Sequence, residues 1–478
     1  MVIARLDHGE PLLIDRIREQ VQLGGGLDHE GRLDAAAMDR AVACLERFGQ
    51  RLRESPAIRV RAVGTATFRS AELLDFLPRA QTALGAPIEV ISGTEEARLV
   101  YLGVARSLGF DSGARLVVDI GGRSTECIVG ERSRPIEAHS LAMGCVSFTD
   151  QFFGDARFDR DQFRTAVLAA ELELEPIRRR FRDLGWVEAA GSSGTVRAVA
   201  AAIEALQPGS SRIDPAGLKA LARSLIKAGN ADAIARLPGV KDERAGVLVA
   251  GVAILTAVFE RLGVESMTVS PGALREGLMY DLLGRIKHED VRERTVTAWQ
   301  SRFAIDTAHA ARVERTARRI LNGVSAAWGL ADEDCEAFLA WAARLHELGL
   351  SVAWSQNQRH AEYIVGNADL AGFSRDEQSV LAALIGSHRR RVRDVKFSGL
   401  PERWRVRMPK LTAVLRLAVL LERSRGPRRV PAIEYRASDG ALHLDFPAEW
   451  LRSHPLTRLD LEQEASRQSS LGVAFTFE

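Results

Sequence analysis

Val117-Val118-Asp119-Ile120-Gly121-Gly122-Arg123-Ser124-Thr125-Glu126 is the stretch on which the reading of this chain turns. An apolar, β-branched run ends in a carboxylate, two glycines follow, and a hydroxyl-rich run opens a second strand. Asp119, at a strand end, is placed to hold a hard cation such as Mg²⁺. Gly121 and Gly122 can expose successive backbone N–H groups, which form a concavity for an anion. Ser124 and Thr125 add hydroxyl donors. Taken alone, the pattern also describes an ordinary β-hairpin with a polar turn. The second glycine-rich loop, Gly191-Ser192-Ser193-Gly194-Thr195, weighs toward a phosphate site.

Outward from the hairpin, strand and helix patterns alternate. Upstream, Met1 to Leu6 and Pro11 to Ile17 read as strands around Asp7-His8-Gly9, Leu33 to Leu52 as a helix, Ile58 to Val63 as a strand, Ala71 to Leu84 as a helix and Pro87 to Ser92 as a strand. Downstream, Asp159 to Arg182 is helical, Trp186 to Ala190 is a strand running into the second glycine loop, and Val196 to Leu206 is helical. Such alternation predicts an α/β layer fold. Past about His288 helix formers dominate as far as Arg425. Short strands return at Ile433 to Tyr435, Ala441 to Phe446 and Val473 to Phe477.

Length and composition set the frame. A chain of 478 residues predicts about three or four domains. A net charge of +2 gives no overall field toward nucleic acid or membrane. Cys44, Cys127, Cys145 and Cys335 are far apart, which argues against a disulfide framework or thiolate metal site and fits a reducing cytoplasm. The N-terminus has no signal-peptide pattern. Apolar stretches such as Ala245 to Phe259 read as too short and interrupted to cross a bilayer.

Two further segments could carry chemistry. Ile91-Ser92-Gly93-Thr94-Glu95-Glu96-Ala97-Arg98 sets paired carboxylates at a strand-to-helix junction. Ser92 and Thr94 are candidate caps, and Glu95 suits the first turn of a helix. A second carboxylate turned into a cleft could orient water for attack on phosphorus. In Val63-Gly64-Thr65-Ala66-Thr67-Phe68-Arg69, a guanidinium follows a strand and a small-residue loop, where it suits a phosphate.

With these stretches, Met143-Gly144-Cys145-Val146 and Gly272 to Gly277, the chain resembles the exopolyphosphatase/guanosine pentaphosphate phosphatase family over essentially its whole length. The resemblance implies an α/β actin-like ATPase (ribonuclease H-like) fold in duplicated domains, 1–100 and 101–285. It also implies an α-helical HD-like domain, 286–430, and a small α+β C-terminal domain, 431–478. Carried over, Glu96 is the catalytic base and Arg69 a phosphate ligand. Gly121, Gly122, Ser124, Gly194 and Thr195 line the phosphate site, and Asp119 and Glu126 are metal-site carboxylates for Mg²⁺. The expected assembly is a homodimer.

The family pattern begins with a strand and a first phosphate loop, Asp-x-Gly-Ser-Asn-Ser, whereas Met1-Val2-Ile3-Ala4-Arg5 resembles the strand after that loop. The expectations are a first domain short of one strand, an exposed pairing edge and weak hydrolysis by the chain as written. Intact mass of the natively expressed protein checks the start. Arg123 stands where a small residue is usual and is expected either to strain the turn through positive φ or to reach a phosphate. Pro271 replaces a polar residue ahead of Gly272.

His309, His346-Glu347, His360 and His388 resemble a remnant of an HD domain. Because His-Glu replaces the His-Asp of metal-binding versions, they read as packing or hydrogen-bonding groups. From 386 to 430 there are fourteen Lys or Arg against three acids, an excess of eleven positive charges. This tract, with His388, Arg389, Arg390 and Arg391 at its head, reads either as a solvated face or as a track for a polyanion, with salt-sensitive binding. The leading expectation is an exopolyphosphatase that releases terminal orthophosphate from inorganic polyphosphate. The alternatives are guanosine pentaphosphate (pppGpp) 5′-phosphohydrolysis and non-catalytic binding of polyphosphate or nucleotide.

Overall fold

The computed structural model describes residues 1–7, 10–19, 21, 23–27, 32–54, 59–70, 75–109, 113–154, 158–210, 212–286, 290–392, 394–425 and 430–478. The expected turn at His8-Gly9, the start of the Ile58 strand and residues 71–74 of the expected helix lie outside them. The chain divides into two compact units, Met1–Asp290 and Val291–Glu478.

The first unit opens with β1 (Val2–Asp7) paired antiparallel to β2 (Glu10–Arg16) as a separate two-stranded sheet. Leu12, Leu13 and Ile14 are exposed on it. After α1 (Ala35–Glu54), β3 (Ala62–Gly64) pairs parallel with β4 (Ile88–Val90), across α2 (Ala66–Ser70) and α3 (Phe76–Leu84). β3 is shorter than the expected 58–63 run. The helix α4 (Gly93–Leu108) follows β4.

The quoted stretch then forms β5 (Ala114–Ile120) and β6 (Thr125–Glu131), and β7 (Arg134–Leu141) completes an antiparallel meander. α5 (Cys145–Phe152) and the 25-residue α6 (Arg160–Leu184) lead to β8 (Glu188–Ser192), which runs parallel to β5. α7 (Ser193–Leu206), α8 (Pro215–Ala228), α9 (Ala231–Ala235) and α10 (Asp242–Leu262) precede β9 (Thr268–Val269) and α11 (Leu274–Ile286). The sheet order is β7-β6-β5-β8-β9. β5 is therefore central, and its buried run Leu116–Ile120 carries Asp119 to the sheet's end. β7 and β9 went unread in the sequence: β7 alternates weakly and β9 has two residues.

α10 contains the apolar stretch that read as too short for a membrane. At 21 residues it is long and apolar enough to cross one, but 72% of its apolar window is buried inside the protein. It packs with α6 and α5 in the core of the five-stranded sheet.

The second unit contains α12 (Val291–Arg302), α13 (Thr307–Trp328), α14 (Glu333–Leu345), α15 (Asn357–Asn367), α16 (Arg375–Gly386), α17 (Glu402–Arg405) and α18 (Met408–Leu421). β10 (Glu434–Ser438), β11 (Ala441–Asp445), α19 (Ala448–Ser453), α20 (Pro455–Ser469) and β12 (Ala474–Phe477) follow. Leu442, Leu444 and Phe475 of these strands share one core with Trp341, Trp404 and Phe338 of the helices.

Candidate active site

α4 positions the main candidate. Ser92 caps it: its hydroxyl accepts the Glu95 N–H at 3.1 Å. The first turn therefore holds Glu95 and Glu96, where the helix dipole favours negative charge. Gly93 lets this turn reach β7, because a Cβ there would lie 2.5 Å from the Ser140 Cβ. Glu95 is more than a capping-turn acid. It is 1% exposed and is gripped by both arms of Arg98, at 2.7 and 2.8 Å. Glu96 turns the other way, onto Arg69, whose Nη1 lies 2.9 Å from its Oε2 and also donates to the Ile91 carbonyl at 3.1 Å.

Strand register brings the other carboxylates to the same place. Asp119 pairs across the sheet with Glu126 on one side and Ser192 on the other, and Glu126 pairs with Ser140. Burial raises the Glu96 carboxyl above its ordinary range; Asp119 adds to this, while Arg69 and a hydrogen bond with Thr65 oppose it. Burial also raises Asp119, against Ser192 and Arg197. Glu126 is pushed up to about 8 by burial and then by the charges of Glu96 and Asp119, although Ser140 donates to its Oε1 at 2.8 Å. Asp119 thus raises Glu96, and both raise Glu126, so three inward carboxylates gather at this end of the sheet.

This has a measurable consequence. Between the ordinary 4.5 of an unfolded glutamate and about 8, folded Glu126 keeps a proton that the unfolded chain has lost. In metal-free protein its contribution to stability therefore falls as pH rises through that window. Glu126→Gln should raise Tm in EDTA by little near pH 5 and by several degrees near pH 8. A difference independent of pH would refute the shift.

The phosphate turn differs in detail from its sequence reading. The Gly121 N–H is used within the hairpin, donating to the Ser124 carbonyl at 2.9 Å. The carbonyls of Gly121 and Gly122 accept N–H groups from Cys145, Val146 and Ser147, which fasten the turn to the start of α5. Gly144 permits this approach: a Cβ on it would lie 2.3 Å from the Arg123 nitrogen. The N–H groups of Gly122 and Arg123 have no partner among the described residues, so the two successive open N–H groups fall one residue later than expected. Arg123 is not among the residues with positive φ, so the expected strain is absent.

In the second loop the strain falls on Ser193, at φ 87°. A Cβ on Gly194 would meet the Arg244 guanidinium at 2.4 Å. Thr195 is buried, and its hydroxyl lies 3.4 Å from the Cys145 sulfur. It joins α5 to α7.

Sequence reading missed a group of arginines. Arg197, on α7, is held below the usual arginine range by burial and then by Arg16 and Arg18, while the charge of Asp119 opposes this. Arg275, at the start of α11, is lowered by burial and by Arg16, Arg18 and Arg197. Glu276 is the acid acting on both, and it lies 3.9 Å from Arg16. Like charges that depress one another in this way favour an anion. Each is a lone arginine in sequence, and only the fold gathers them.

The expected track in the second unit does not form as read. His388 is buried, its Nδ1 2.6 Å from the Ile385 carbonyl, and burial lowers it to about 4, so it is a neutral interior group. Arg390 and Arg391 are exposed and Arg389 is half-exposed. Much of the rest of the tract is neutralised by acids distant in sequence. Arg407 meets Asp332 at 2.8 Å, Arg423 meets Asp460 at 2.8 Å, Lys410 meets Asp439 at 3.1 Å, and Arg416 is buried against Glu464. Lys396 and Arg425 pair with Glu362 and Glu347. Arg393, Arg428 and Arg429 lie outside the described residues.

The Ppx/GppA phosphatase family model matches residues 2–286, and the Ppx/GppA phosphatase domain III model matches residues 291–465. The chain is 38% identical to a guanosine-5′-triphosphate,3′-diphosphate pyrophosphatase of Photobacterium profundum, across 100% of this chain and 95% of that one. It is also 38% identical to the protein of that name from Aeromonas hydrophila, across 99% and 95%. The crystal structure of an exopolyphosphatase from Cytophaga hutchinsonii shares the fold at TM-score 0.54 and 24% identity, over 59% of this chain and 93% of that one. The family matches run through both units, and the chain belongs to the Ppx/GppA phosphatase family.

Proposed function

We propose that this protein hydrolyses the terminal phosphoanhydride of the 5′-triphosphate of pppGpp, releasing orthophosphate. The observation that carries this reading is the mutual electrostatic influence of Arg16, Arg18, Arg197 and Arg275, of which Arg197 also acts on Asp119. A substrate with phosphates at both ends of a nucleoside needs a second anion subsite near the reacting one. Ion pairing across the tract of the second unit removes the main support for a long polyphosphate chain, and the two relatives at 38% identity are named guanosine-5′-triphosphate,3′-diphosphate pyrophosphatases.

In this reading Glu96 takes the proton of the attacking water, and its raised carboxyl makes it a better base than an ordinary glutamate. The oxygen forms a bond to the terminal phosphorus, and the bond to the bridging oxygen breaks. Arg69 lies on Glu96 in this structure, so an arriving phosphate can draw the guanidinium onto itself and release the base. The N–H groups of Gly122 and Arg123 cradle phosphate oxygens. Asp119 and Glu126 suit a divalent cation, Mg²⁺ by their hard oxygens, which when bound would neutralise phosphate charge.

Initial rates of orthophosphate release test the choice. Arg275→Ala should raise KM for pppGpp about tenfold or more, the size of a lost charge-assisted contact, and leave hydrolysis of GTP within about threefold. Faster turnover of polyphosphate, with KM for GTP and pppGpp changed alike, would restore the exopolyphosphatase reading.

A further inference from the structure

The second unit holds a set of donors that phosphate hydrolysis does not use. His309 on α13, and His346 and Glu347 just after α14, each offer one ligand atom, all within 4.8 Å of one another. Nε2 of His309 and Nε2 of His346 each lie 3.9 Å from Oε1 of Glu347. That is too long for a hydrogen bond. It is about half an ångström more than the roughly 3.4 Å between ligand atoms around tetrahedral zinc.

The other ring nitrogens differ between the two histidines. His346 Nδ1 lies 2.8 Å from the Ala343 carbonyl, so it carries the proton and Nε2 presents its lone pair to the cluster. Nδ1 of His309 is buried without a hydrogen-bond partner, so no hydrogen bond explains the ring's orientation. Burial holds both rings below the usual histidine range and keeps them neutral, as ligands must be. His388 packs against His346, ring centroids 5.3 Å apart. The group His443, Asp445 and Glu478 is different: both nitrogens of His443 already have partners, at 2.7 Å on Thr476 and 2.9 Å on Asp445.

We propose that His309, His346 and Glu347 form a Zn²⁺ site in the second unit, with the fourth position left to water or an anion. Two imidazoles and one carboxylate suit zinc, whereas Mg²⁺ takes oxygen alone. This departs from the packing role read from the sequence, and it is independent of the phosphohydrolase site. One group competes: Arg425 pairs with Glu347 and approaches Asp306 at 3.7 Å. Its side chain is 43% exposed, so replacing it should not disturb the core.

The test uses tag-free, EDTA-treated full-length protein titrated with Zn²⁺ alone, followed by calorimetry and by elemental analysis after gel filtration. One zinc per chain should be retained and lost in His309→Asn and Glu347→Gln, and excess Mg²⁺ should not displace it. Arg425→Gln should bind zinc roughly tenfold more tightly, since it removes the competing cation. Retention unchanged in both ligand variants would overturn the site. If those variants fail to fold by circular dichroism, Arg425→Gln decides, and no gain in affinity overturns it.

Discussion

Glu96→Gln should lower kcat for terminal orthophosphate release by roughly 10²- to 10⁴-fold, the usual size of a lost general base. Glutamine keeps the shape of the side chain and can still receive a hydrogen bond from Arg69, but it cannot take a proton from water. Burial, reinforced by Asp119, raises the Glu96 carboxyl, so the wild-type rate should fall on acidification at a pH above the ordinary carboxylate range. The residual rate of the variant should lack that acid limb. KM should change little, because the phosphate-facing N–H groups at Gly122 and Arg123 are untouched. Stability should be unchanged or slightly higher, since a buried charge is removed. A kcat within threefold of wild type, with the acid limb intact, would take Glu96 out of the role.

Local features were legible in the sequence. Asp119-to-Glu126 declared a hairpin through β-branched runs and two glycines, Ser92 declared a helix start, and Glu96 could be singled out at that start. These signals are carried by neighbours in the chain. What escaped reading is what the fold assembles from far apart. Arg16, Arg18, Arg197 and Arg275 come from four places and mean nothing singly. The basic tract looked like a strong positive field because Asp332, Asp439, Asp460 and Glu464, which cancel it, lie tens of residues away in sequence. The surroundings of Thr195 escaped reading for a related reason. A hydroxyl after two glycines suits a phosphate loop, but α5 packs close enough for Cys145 to take it.

Asp281→Ala should be the most destabilising of these substitutions, by about 3–5 kcal/mol, because it strands buried cations. Asp281, 5% exposed, accepts from Arg61 Nη1 at 2.5 Å and from Arg98, with Arg285 at 3.3 Å. Arg98 holds Glu95 with the same guanidinium, so the loss reaches the residue next to the catalytic candidate. The site cannot easily relax around the gap. α4 and α11 touch backbone to backbone at Gly103 and Gly277, where a Cβ would lie 2.0 Å from the Ala273 oxygen or 1.8 Å from the Leu99 oxygen. Tm should drop on the order of 10 °C, and kcat should fall with it as the first turn of α4 loosens. Asp281→Asn keeps the shape without the charge and should fall between. The pH dependence separates charge from packing. Burial alone would raise the Asp281 carboxyl, but Arg98, Arg61 and Arg285 outweigh it and hold it far below the usual range. Its contribution to stability is therefore full above the unfolded value of about 4 and is lost as pH falls further. The gap between wild type and Asp281→Asn, read by urea unfolding, should be widest near neutral pH and should narrow below about pH 4. A loss under 1 kcal/mol for Asp281→Ala, or a gap that ignores pH, would mean that the network carries no net stabilisation.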